Sequence, residues 1–348
     1  MRKSMILALA LVFVLGLAGM ASAASNVANT SQKGSLLILP KIDITESGDV
    51  FRDTIVSISN DYFEDVHVKC YWVDKNQNIQ DFVMKVTQNH PVWFSAKSGL
   101  NNFDAIPIEI PPFNGPVGEL KCWAVDAAGA NQIRFNHLYA TATVYDFTND
   151  SAYEYNSWNF QVRAVVAQGA AVGVGGNIKL DGLDYDACPQ YLLFNFPSVG
   201  AGFGFFKNVD VTLVPCKQDL RQDRKPTFTK AKFDIWNENE TKYTGAYQCI
   251  KCWFENELDK IQYGAGKFTR RELHTTMGRF RVTGVASTVC SPAALPSPLV
   301  GLSVQELSFN NETVDALAGT TANSAGIDAT GFVLWDPQSS IVPESLVR

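Results

Sequence analysis

Short runs in which apolar and polar residues alternate recur along most of this chain. In the run from Val66 to Val73, aliphatic or aromatic residues alternate with polar residues around Cys70. A period of two is the pattern of a β-strand with one buried face. The runs that predict strands in the first half are Val66 to Val73, Phe82 to Val86, Gly118 to Val125, Leu138 to Tyr145 and Asn159 to Val166.

Turn-forming residues separate these runs. They include Asn76-Gln77-Asn78, Pro111-Pro112 and Asn114-Gly115-Pro116. Beyond the apolar N-terminus no long stretch has a helical period. Many short strands with frequent turns are typical of antiparallel sandwiches. We therefore predict an all-β fold of two tandem Ig-like antiparallel β-sandwich domains.

Segments of the first half recur in the second half in the same order, which indicates a duplicated structural unit. A Gly- and Ala-rich linker is predicted over 168–178, with β-sandwich domain 1 over 24–167 and domain 2 over 179–348. The matched segments are Ser35 to Pro40 with Tyr191 to Pro197, Ile58 to Asp61 with Ile235 to Glu238, Val68 to Trp72 with Ile250 to Phe254, and Leu138 to Val144 with Leu299 to Val304.

Residues 1–23 predict a secretory signal peptide. Arg2 and Lys3 precede a nearly uninterrupted apolar run from Met5 to Gly19, and Ala21-Ser22-Ala23 has the small-x-small form of a cleavage site. A membrane anchor is the alternative, but the run is short for a span and a cleavage site follows it directly. We expect cleavage before Ala24 and a mature chain without a membrane span, which is secreted, periplasmic or at the cell surface.

The charge balance narrows the classes of partner. The chain has a net charge of −6, and removal of the signal peptide makes it more acidic. An acidic exported chain has no overall electrostatic attraction to nucleic acid or to an anionic bilayer. The 46% share of hydrophobic residues argues against disorder. We therefore expect an extracellular protein or a glycan as partner.

The cysteine content also agrees with export, because thiols pair in an oxidising compartment. Cys70 and Cys122 are the only cysteines of the first copy and both lie in strand-like runs, so we predict that they form a disulfide that staples the two sheets of the sandwich. Removal of this disulfide should lower the free energy of unfolding by about 2–5 kcal/mol. The number of cysteines is odd, and the pairing of those in the second copy stays open; they are Cys188, Cys216, Cys249, Cys252 and Cys290.

The first copy resembles a group of uncharacterised exported bacterial β-sandwich proteins. The resemblance covers about residues 34–165, and its clearest motif is Gly118-Glu119-Leu120-Lys121-Cys122; Lys69-Cys70, Asp81-Phe82 and His90-Pro91-Val92-Trp93 also carry it. It implies secretion, a sandwich fold and the Cys70–Cys122 pair. It implies no activity, because none is known for the group. The second copy departs from the pattern, since Val282 stands where Cys122 would be.

No catalytic, cofactor or metal motif is complete in this sequence. Cys249-Ile250-Lys251-Cys252 lacks the following His that haem attachment needs, and its strand-like context favours structural disulfides over a redox site. The histidines are scattered, and no nucleophile elbow occurs. The carboxylates of Asp181, Asp184 and Asp186 suggest a calcium loop, but without the distal Glu a solvated loop is the simpler interpretation. We predict no catalytic, cofactor-binding or metal-ligating residues.

Tryptophan is the most suggestive residue type. Trp72, Trp123 and Trp253 adjoin strand cysteines, as core Trp residues of sandwich domains do. Trp93 and Trp158 are the residues expected to be exposed, and an exposed aromatic face is a platform on which a sugar ring can stack. They are our candidate glycan contacts.

These observations lead to three functional hypotheses. The first is a non-enzymatic protein with a structural, adhesive or assembly role, which includes self-assembly by donation of the strand region Ala24 to Leu39 to another subunit. The second is a pair of carbohydrate-binding modules. The third is an extracellular hydrolase, for which the sequence identifies no acid–base pair.

Overall fold

The computed structural model describes residues 26–102, 109–148, 151–174, 178–196, 206–216, 227–261, 268–275, 277–309 and 312–319. The predicted signal peptide and Trp335 lie outside the described residues. Among those described, helix is confined to a 3₁₀ turn at Leu258–Lys260 and a single α-helical turn at Arg270–Leu273. Strands make up nearly all of the remaining regular structure, so the prediction of an all-β fold is confirmed.

The first half contains two antiparallel sheets. The first sheet has the order β11-β1-β7-β4-β5, with β8 and β12 attached beside β7, and the second sheet has the order β10-β9-β3-β2, with β6 also paired to β3. The strands are β1 Leu36–Asp43, β2 Glu46–Ser47, β3 Val50–Asn60, β4 Val66–Asp74, β5 Ile79–Val86, β6 Val92–Ser95, β7 Val117–Val125, β8 Asn131–Ile133, β9 Leu138–Asp146, β10 Ser151–Asn156, β11 Trp158–Phe160 and β12 Ala171–Val174.

The second half also contains two antiparallel sheets. The third sheet has the order β17-β14-β19-β20 and the fourth sheet the order β13-β18-β15-β16. The strands are β13 Leu192–Phe196, β14 Phe206–Pro215, β15 Phe228–Asn237, β16 Lys242–Lys251, β17 Phe254–Glu257, β18 Gly278–Val285, β19 Leu299–Phe309 and β20 Glu312–Gly319.

The two halves correspond strand by strand. When β13 to β20 are placed in chain order on β1, β3, β4, β5, β6, β7, β9 and β10, each ladder of the second half has a counterpart in the first. The fourth sheet corresponds to the first sheet and the third sheet to the second. Strands β2, β8, β11 and β12 are additions to the first half.

The correspondence revises part of the sequence matching. Ser35 to Pro40 and Tyr191 to Pro197 overlap the corresponding strands β1 and β13, and the match of β9 with β19 also holds. Ile58 to Asp61, in contrast, ends β3, whereas Ile235 to Glu238 ends β15, which is the counterpart of β4. The match of Val68 to Trp72 with Ile250 to Phe254 is displaced by one strand in the same way, because short alternating segments resemble any strand with one buried face.

The strand order differs from that of an immunoglobulin domain. Pairing of β4 with β7 and of β3 with β6 matches the immunoglobulin pairs C–F and B–E. Here, however, the first strand lies beside β7, and β9 lies beside β3. Each half is therefore a two-sheet arrangement whose terminal strands have exchanged sheets relative to the immunoglobulin order.

Two of the expected elements differ in extent. The strand expected over Asn159 to Val166 ends at Phe160, because the backbone beyond it bonds to the segment around Asp184 instead of to β1. The segment expected to be a linker, 168–178, contains β12, which pairs with β8. The other strands expected in the first half lie within a residue or a few residues of the observed bounds.

Strands β1 and β7 of the first sheet are buried on both faces. Every residue of β1 is buried, and so is every residue of β7 except Val117. On β1, Leu37 and Leu39 point into the interior of the first sandwich, whereas Leu36 and Ile38 belong to a core that continues into the second half. A strand that is apolar at consecutive positions is the expected sequence signature of such two-sided burial.

The interiors of the two halves are continuous. Tyr71 and Trp123 on the first sheet share a core with Val211 and Phe233 of the second half. In the other direction, Leu302 of β19 belongs to the core of the first sandwich. Buried residues of the two halves therefore pack against each other in shared clusters.

The segment before β1 is held within its own chain. Ala28 is buried, and its backbone N–H donates to the carbonyl of Ala187. Strand β1 has β7 on one side and β11 on the other, so both of its edges are occupied. This pairing within one chain lends no support to the hypothesis that the strand region Ala24 to Leu39 is donated to another subunit, which stays a prediction.

Three disulfides join six of the seven cysteines in pairs. Cys70 and Cys122 lie directly opposite each other on β4 and β7, with a Cα–Cα distance of 4.1 Å. This bond joins neighbouring strands of one sheet, so the expectation that it staples two sheets was wrong. The other two bonds lie in the second half and are Cys188–Cys216 and Cys249–Cys290.

Substitution of Trp158 tests whether the two halves share one interior. The Trp158 ring is completely buried, and its indole N–H donates to the carbonyl of Gly301 on β19 at 2.9 Å. We expect Trp158→Ala to lower the free energy of unfolding by about 3–5 kcal/mol, the usual cost of emptying a buried Trp site, as measured by urea denaturation. Phe63→Ala, at a position that is 65% exposed, should change it by less than about 0.5 kcal/mol. Equal effects of the two substitutions would contradict a core that is continuous across the halves.

Candidate functional site

The candidate site lies on the outward face of the second sheet. Trp93 on β6 is 39% exposed and stands opposite Ser57 of β3. Val56 and Ile58, the neighbours of Ser57, are fully buried, so Ser57 and Trp93 point to solvent. Two backbone groups of Trp93 bond to Asn102, which fixes the main chain at this position. The expected exposure of Trp93 therefore agrees with its position in the fold.

Polar side chains continue this face across the sheet. Ser57 pairs with Thr141 of β9, and Thr141 pairs with Asn156 of β10, so these side chains form a row that begins at Trp93. Tyr139 donates from its hydroxyl to the amide oxygen of Asn156 at 2.7 Å. The row places an aromatic ring at one end and hydroxyl and amide groups at the other.

A second row adds an acidic group. Ile55, Thr143 and Glu154 are in register on β3, β9 and β10, and the Thr143 hydroxyl donates to Glu154 at 3.0 Å. Desolvation is the main reason that the pKa of the nearby Tyr139 hydroxyl lies above its usual value. Such a face can stack against a ring and exchange hydrogen bonds with hydroxyl groups of a ligand.

Trp158, the other candidate glycan contact, cannot reach a ligand at the surface. It lies at the start of β11, where the second half covers the edge of the first sheet, and it is completely buried. The expectation that it is exposed was wrong. Its sequence context did not reveal the burial, because the covering residues come from β19, far along the chain.

The Trp residues beside cysteines lie in or against the core. Trp72 and Trp123 are each 1% exposed, on opposite faces of the first sheet. Trp253 is partly buried, and its indole N–H donates to the carbonyl of Pro40 at 2.9 Å. Trp253 and Trp158 thus each donate a hydrogen bond from one half of the chain to the backbone of the other.

An ion pair also joins the two halves. Lys41 of β1 contacts Glu255 of β17, and the Lys41 side chain is almost fully buried. Burial disfavours the charged ammonium, but Glu255, with Tyr153 and Asp43 nearby, outweighs this effect and raises the pKa of Lys41 well above its usual value. Lys41 is therefore charged throughout the neutral pH range, and its partner supplies the compensating charge.

A second buried ion pair lies on β7, on the face of the first sheet that the second half covers. Lys121 contacts Glu119 at 2.9 Å, and neither side chain is more than 2% exposed. Burial raises the pKa of Glu119 and the Lys121 charge opposes the rise. Burying a pair of this kind costs desolvation energy, which the attraction between the two charges offsets.

Cys252 lies near the Glu119–Lys121 pair, whose charges act on its thiol. It is 1% exposed and is not one of the disulfide-bonded residues. Burial is the main reason that the pKa of its thiol is raised to about 11. Cys249 does not pair with Cys252 but with Cys290, which agrees with the expectation that the two cysteines of the C-x-x-C do not bond to each other.

The acidic loop does not gather its carboxylates. Asp181 accepts from the backbone N–H groups of Leu183 and Asp184, whereas Asp186 is fully buried and contacts Arg163 at 2.5 Å. In the described part of the chain no three His, Cys, Asp or Glu residues are grouped in a way that could hold a metal ion. Asp186 therefore helps to attach this loop to the first half.

Sequence reasoning found Trp93 but missed the residues around it. Ser57, Thr141 and Asn156 come from three different strands, and only the register of the ladders places them in one row. Their alternation with buried residues was a usable signal, because it assigns each of them to an outward face. The charged residues on the strongly apolar strands β1 and β7 were a second signal, since Lys41, Glu119 and Lys121 each need a partner if both faces are buried.

No family model and no curated protein matches the chain. Among solved structures the chain is similar to the PBSX exported protein XepA, with 6% sequence identity and a TM-score of 0.20 over 74% of this chain and 84% of that one. Within the residues that the structure describes, no helix is long and apolar enough to cross a membrane.

The state of Cys252 provides a chemical test. With a pKa of about 11, on the order of one thiol in a thousand is ionised at pH 8, and the side chain is buried. We expect iodoacetamide to leave the native protein unmodified at pH 8 and to alkylate Cys252 alone in guanidinium chloride without reductant. Peptide mass spectrometry identifies the modified residue. Labelling of any other cysteine before reduction would contradict the three disulfides, and Cys252→Ser, which leaves no thiol to label, is the control.

Proposed function

We propose that this protein is an exported, non-enzymatic protein with a structural or adhesive role, built from two copies of one β-sandwich unit. The observation that carries the proposal is the continuous interior of the two halves, which fixes their outer sheet faces relative to each other. A rigid body with exposed sheet faces suits attachment to another molecule.

The strand correspondence supports duplication of the unit. On the first sheet Cys70 lies opposite Cys122, and at the corresponding positions of the fourth sheet Phe233 lies opposite Val282. A cross-strand disulfide in one copy is thus replaced by a buried apolar pair in the other. The two pairs occupy the same place in corresponding strand ladders, as expected if both halves descend from one ancestral unit.

The cysteine chemistry supports export. Three disulfides persist only where the surroundings are oxidising, as outside the cytoplasm. The sequence of residues 1–23 also supports export, because it has the basic start, apolar run and cleavage site of a signal peptide.

Carbohydrate binding is the second candidate function. The row of Trp93, Ser57, Thr141 and Asn156 favours it, because the side chains combine a ring surface with hydrogen-bonding groups on one exposed sheet face. In this version Trp93 contacts the sugar ring and the polar residues of the row orient it.

Export has a direct test. We expect the full chain, produced in a bacterial host, to appear outside the cytoplasm as a mature protein that begins at Ala24, because signal peptidase requires small residues at Ala21 and Ala23. N-terminal sequencing of the fractionated protein measures this. A variant with Ala21→Leu and Ala23→Leu should accumulate as the uncleaved precursor. A wild-type chain that stays cytoplasmic and reduced would contradict the proposal.

Carbohydrate binding has a separate test. On an array of neutral glycans, we expect Trp93→Ala to weaken any binding by about tenfold, since an aromatic anchor contributes more than 1 kcal/mol. Trp93→Phe should retain most of the affinity because it keeps a ring. Val83→Ala, at a position on β5 that is 42% exposed, is the matched control. The absence of binding by the wild-type protein, or binding that is unchanged in Trp93→Ala, would remove this second candidate and leave the structural proposal standing.

A further inference from the structure

The outward face of the fourth sheet carries an unusual set of side chains. On β15, Ala231, Phe233 and Ile235 are completely buried in the core. The residues between and beside them point the other way, because side chains alternate along a strand. These outward residues are Lys230, Lys232, Asp234 and Trp236.

Neighbouring strands extend this face. Trp236 lies between Lys242 of β16 and Arg279 of β18, each directly opposite it. Adjacent strands are about 4.8 Å apart, so the Cα positions of these two cationic residues are about 10 Å apart across the Trp. In the same way Asp234 stands opposite Arg281, and Lys232 stands opposite Tyr247.

The cations lie against the aromatic rings. The Lys242 ammonium and the Arg279 guanidinium are each 5.3 Å from the centroid of the Trp236 ring, and Arg281 is 5.7 Å from it. Farther along the face, the Lys230 ammonium lies 4.0 Å from the centroid of the Tyr247 ring, which is diagonally opposite it on β16. These contacts hold flexible basic side chains close to the sheet, which reduces the entropy lost when a ligand binds.

The outward side chains of β15, β16 and β18 carry a net positive charge in an acidic protein, and Glu238 and Glu240 lie beyond them in the exposed turn between β15 and β16. Asp234, the one carboxylate among these outward side chains, contacts Arg281 at 2.6 Å, Lys232 at 3.7 Å and Lys242 at 3.8 Å. Burial opposes ionisation of Asp234, but these cations lower its pKa below the usual value. One charged carboxylate therefore organises several cations without neutralising them, although the chain as a whole has a net charge of −6.

The cations are accessible from solvent. The side chains of Lys232, Lys242 and Arg281 are 50%, 45% and 37% exposed, whereas that of Asp234 is 6% exposed. A ligand that approaches the sheet thus meets positive charge first, with Trp236 partly exposed between the cations.

We propose that the outward face of the fourth sheet binds an acidic polysaccharide. Its carboxylate, sulfate or phosphate groups would pair with Lys242, Arg279 and Lys232, and a sugar ring would lie over Trp236. A flat face with cations on both sides of an aromatic ring fits a polymer in which charged groups and rings alternate. The proposal names a ligand for the exported protein proposed above, and it concerns a different sheet from Trp93.

The same observations favour a polysaccharide over other polyanions. A protein that binds a lipid surface inserts protruding apolar side chains into it. Among the described residues, no exposed large hydrophobic residue lies in β13, β15, β16 or β18, so this face lacks such side chains. Nucleic-acid binding depends mainly on neutralising a dense line of phosphates and is typical of strongly basic domains. Here the positive face is local and the chain is acidic overall.

Binding of the mature full-length protein to polygalacturonate and to dextran sulfate, each compared with neutral dextran, tests the proposal. By isothermal titration at low ionic strength, we expect binding to the two acidic polymers and none to dextran. Raising the salt concentration from 50 to 300 mM should weaken the binding at least tenfold, because exposed charges are screened.

Variants locate the binding to the face. Arg279→Glu and Lys242→Glu should each weaken binding to polygalacturonate by tenfold or more, and Trp236→Ala should weaken it more than Trp236→Phe. The matched control is Lys75→Glu, which makes the same charge change at an exposed turn of the first half. Thermal melting of each variant checks the fold, and Lys242→Gln provides a milder substitution if Lys242→Glu proves unstable.

Defined outcomes would overturn the proposal. They are equal affinity for dextran and for the acidic polymers, the same loss of affinity in Lys75→Glu as in Arg279→Glu, or tighter binding to single-stranded oligonucleotides or to phosphatidylserine vesicles than to either acidic polysaccharide. Failure of this test leaves export untouched, because N-terminal sequencing measures export independently of any ligand.

Discussion

The burial of strands β1 and β7 on both faces is the constraint on which the rest of the structure depends. Strands β1 and β7 are buried almost throughout, with one face turned to their own sandwich and the other to the second half. Separation of the halves would expose Leu36, Ile38 and Trp123 to water at a cost of several kcal/mol. The second half is therefore part of the folding unit of the first.

Two-sided burial also explains why charged residues occur in such apolar strands. Lys41, Glu119 and Lys121 could not lie on a dry face alone, because an unpaired buried charge is very unfavourable. Glu255 pairs with Lys41 across the halves, and Glu119 pairs with Lys121 along β7. Together with the indole hydrogen bonds of Trp158 and Trp253, the Lys41–Glu255 pair joins the two halves and disfavours a slipped placement of one against the other.

Local patterns in the sequence predicted local structure well. The alternation in β4 and β9 predicted strands that are observed, and Cys70 and Cys122 lie in strands β4 and β7 as expected. What the sequence could not specify was the set of partners across the sheet. The disulfide proved to join neighbouring strands, and Trp158 proved to be covered by β19, because strand order and interdomain packing depend on contacts between distant residues. The candidate row beside Trp93 has the same origin in strand register.

The correspondence between the halves shows that equivalent faces of the first and fourth sheets differ in burial and in charge. Tyr71, Val73 and Glu119 of the first sheet occupy the register positions that Asp234, Trp236 and Arg279 occupy in the fourth. In the first half this face is covered, and in the second half it is open and basic. The fold itself requires only that the open face be polar, which a mixture of charges satisfies. Concentration of Lys and Arg around one Trp, in a chain with an excess of acidic residues, exceeds that requirement, and binding of an acidic ligand explains the excess.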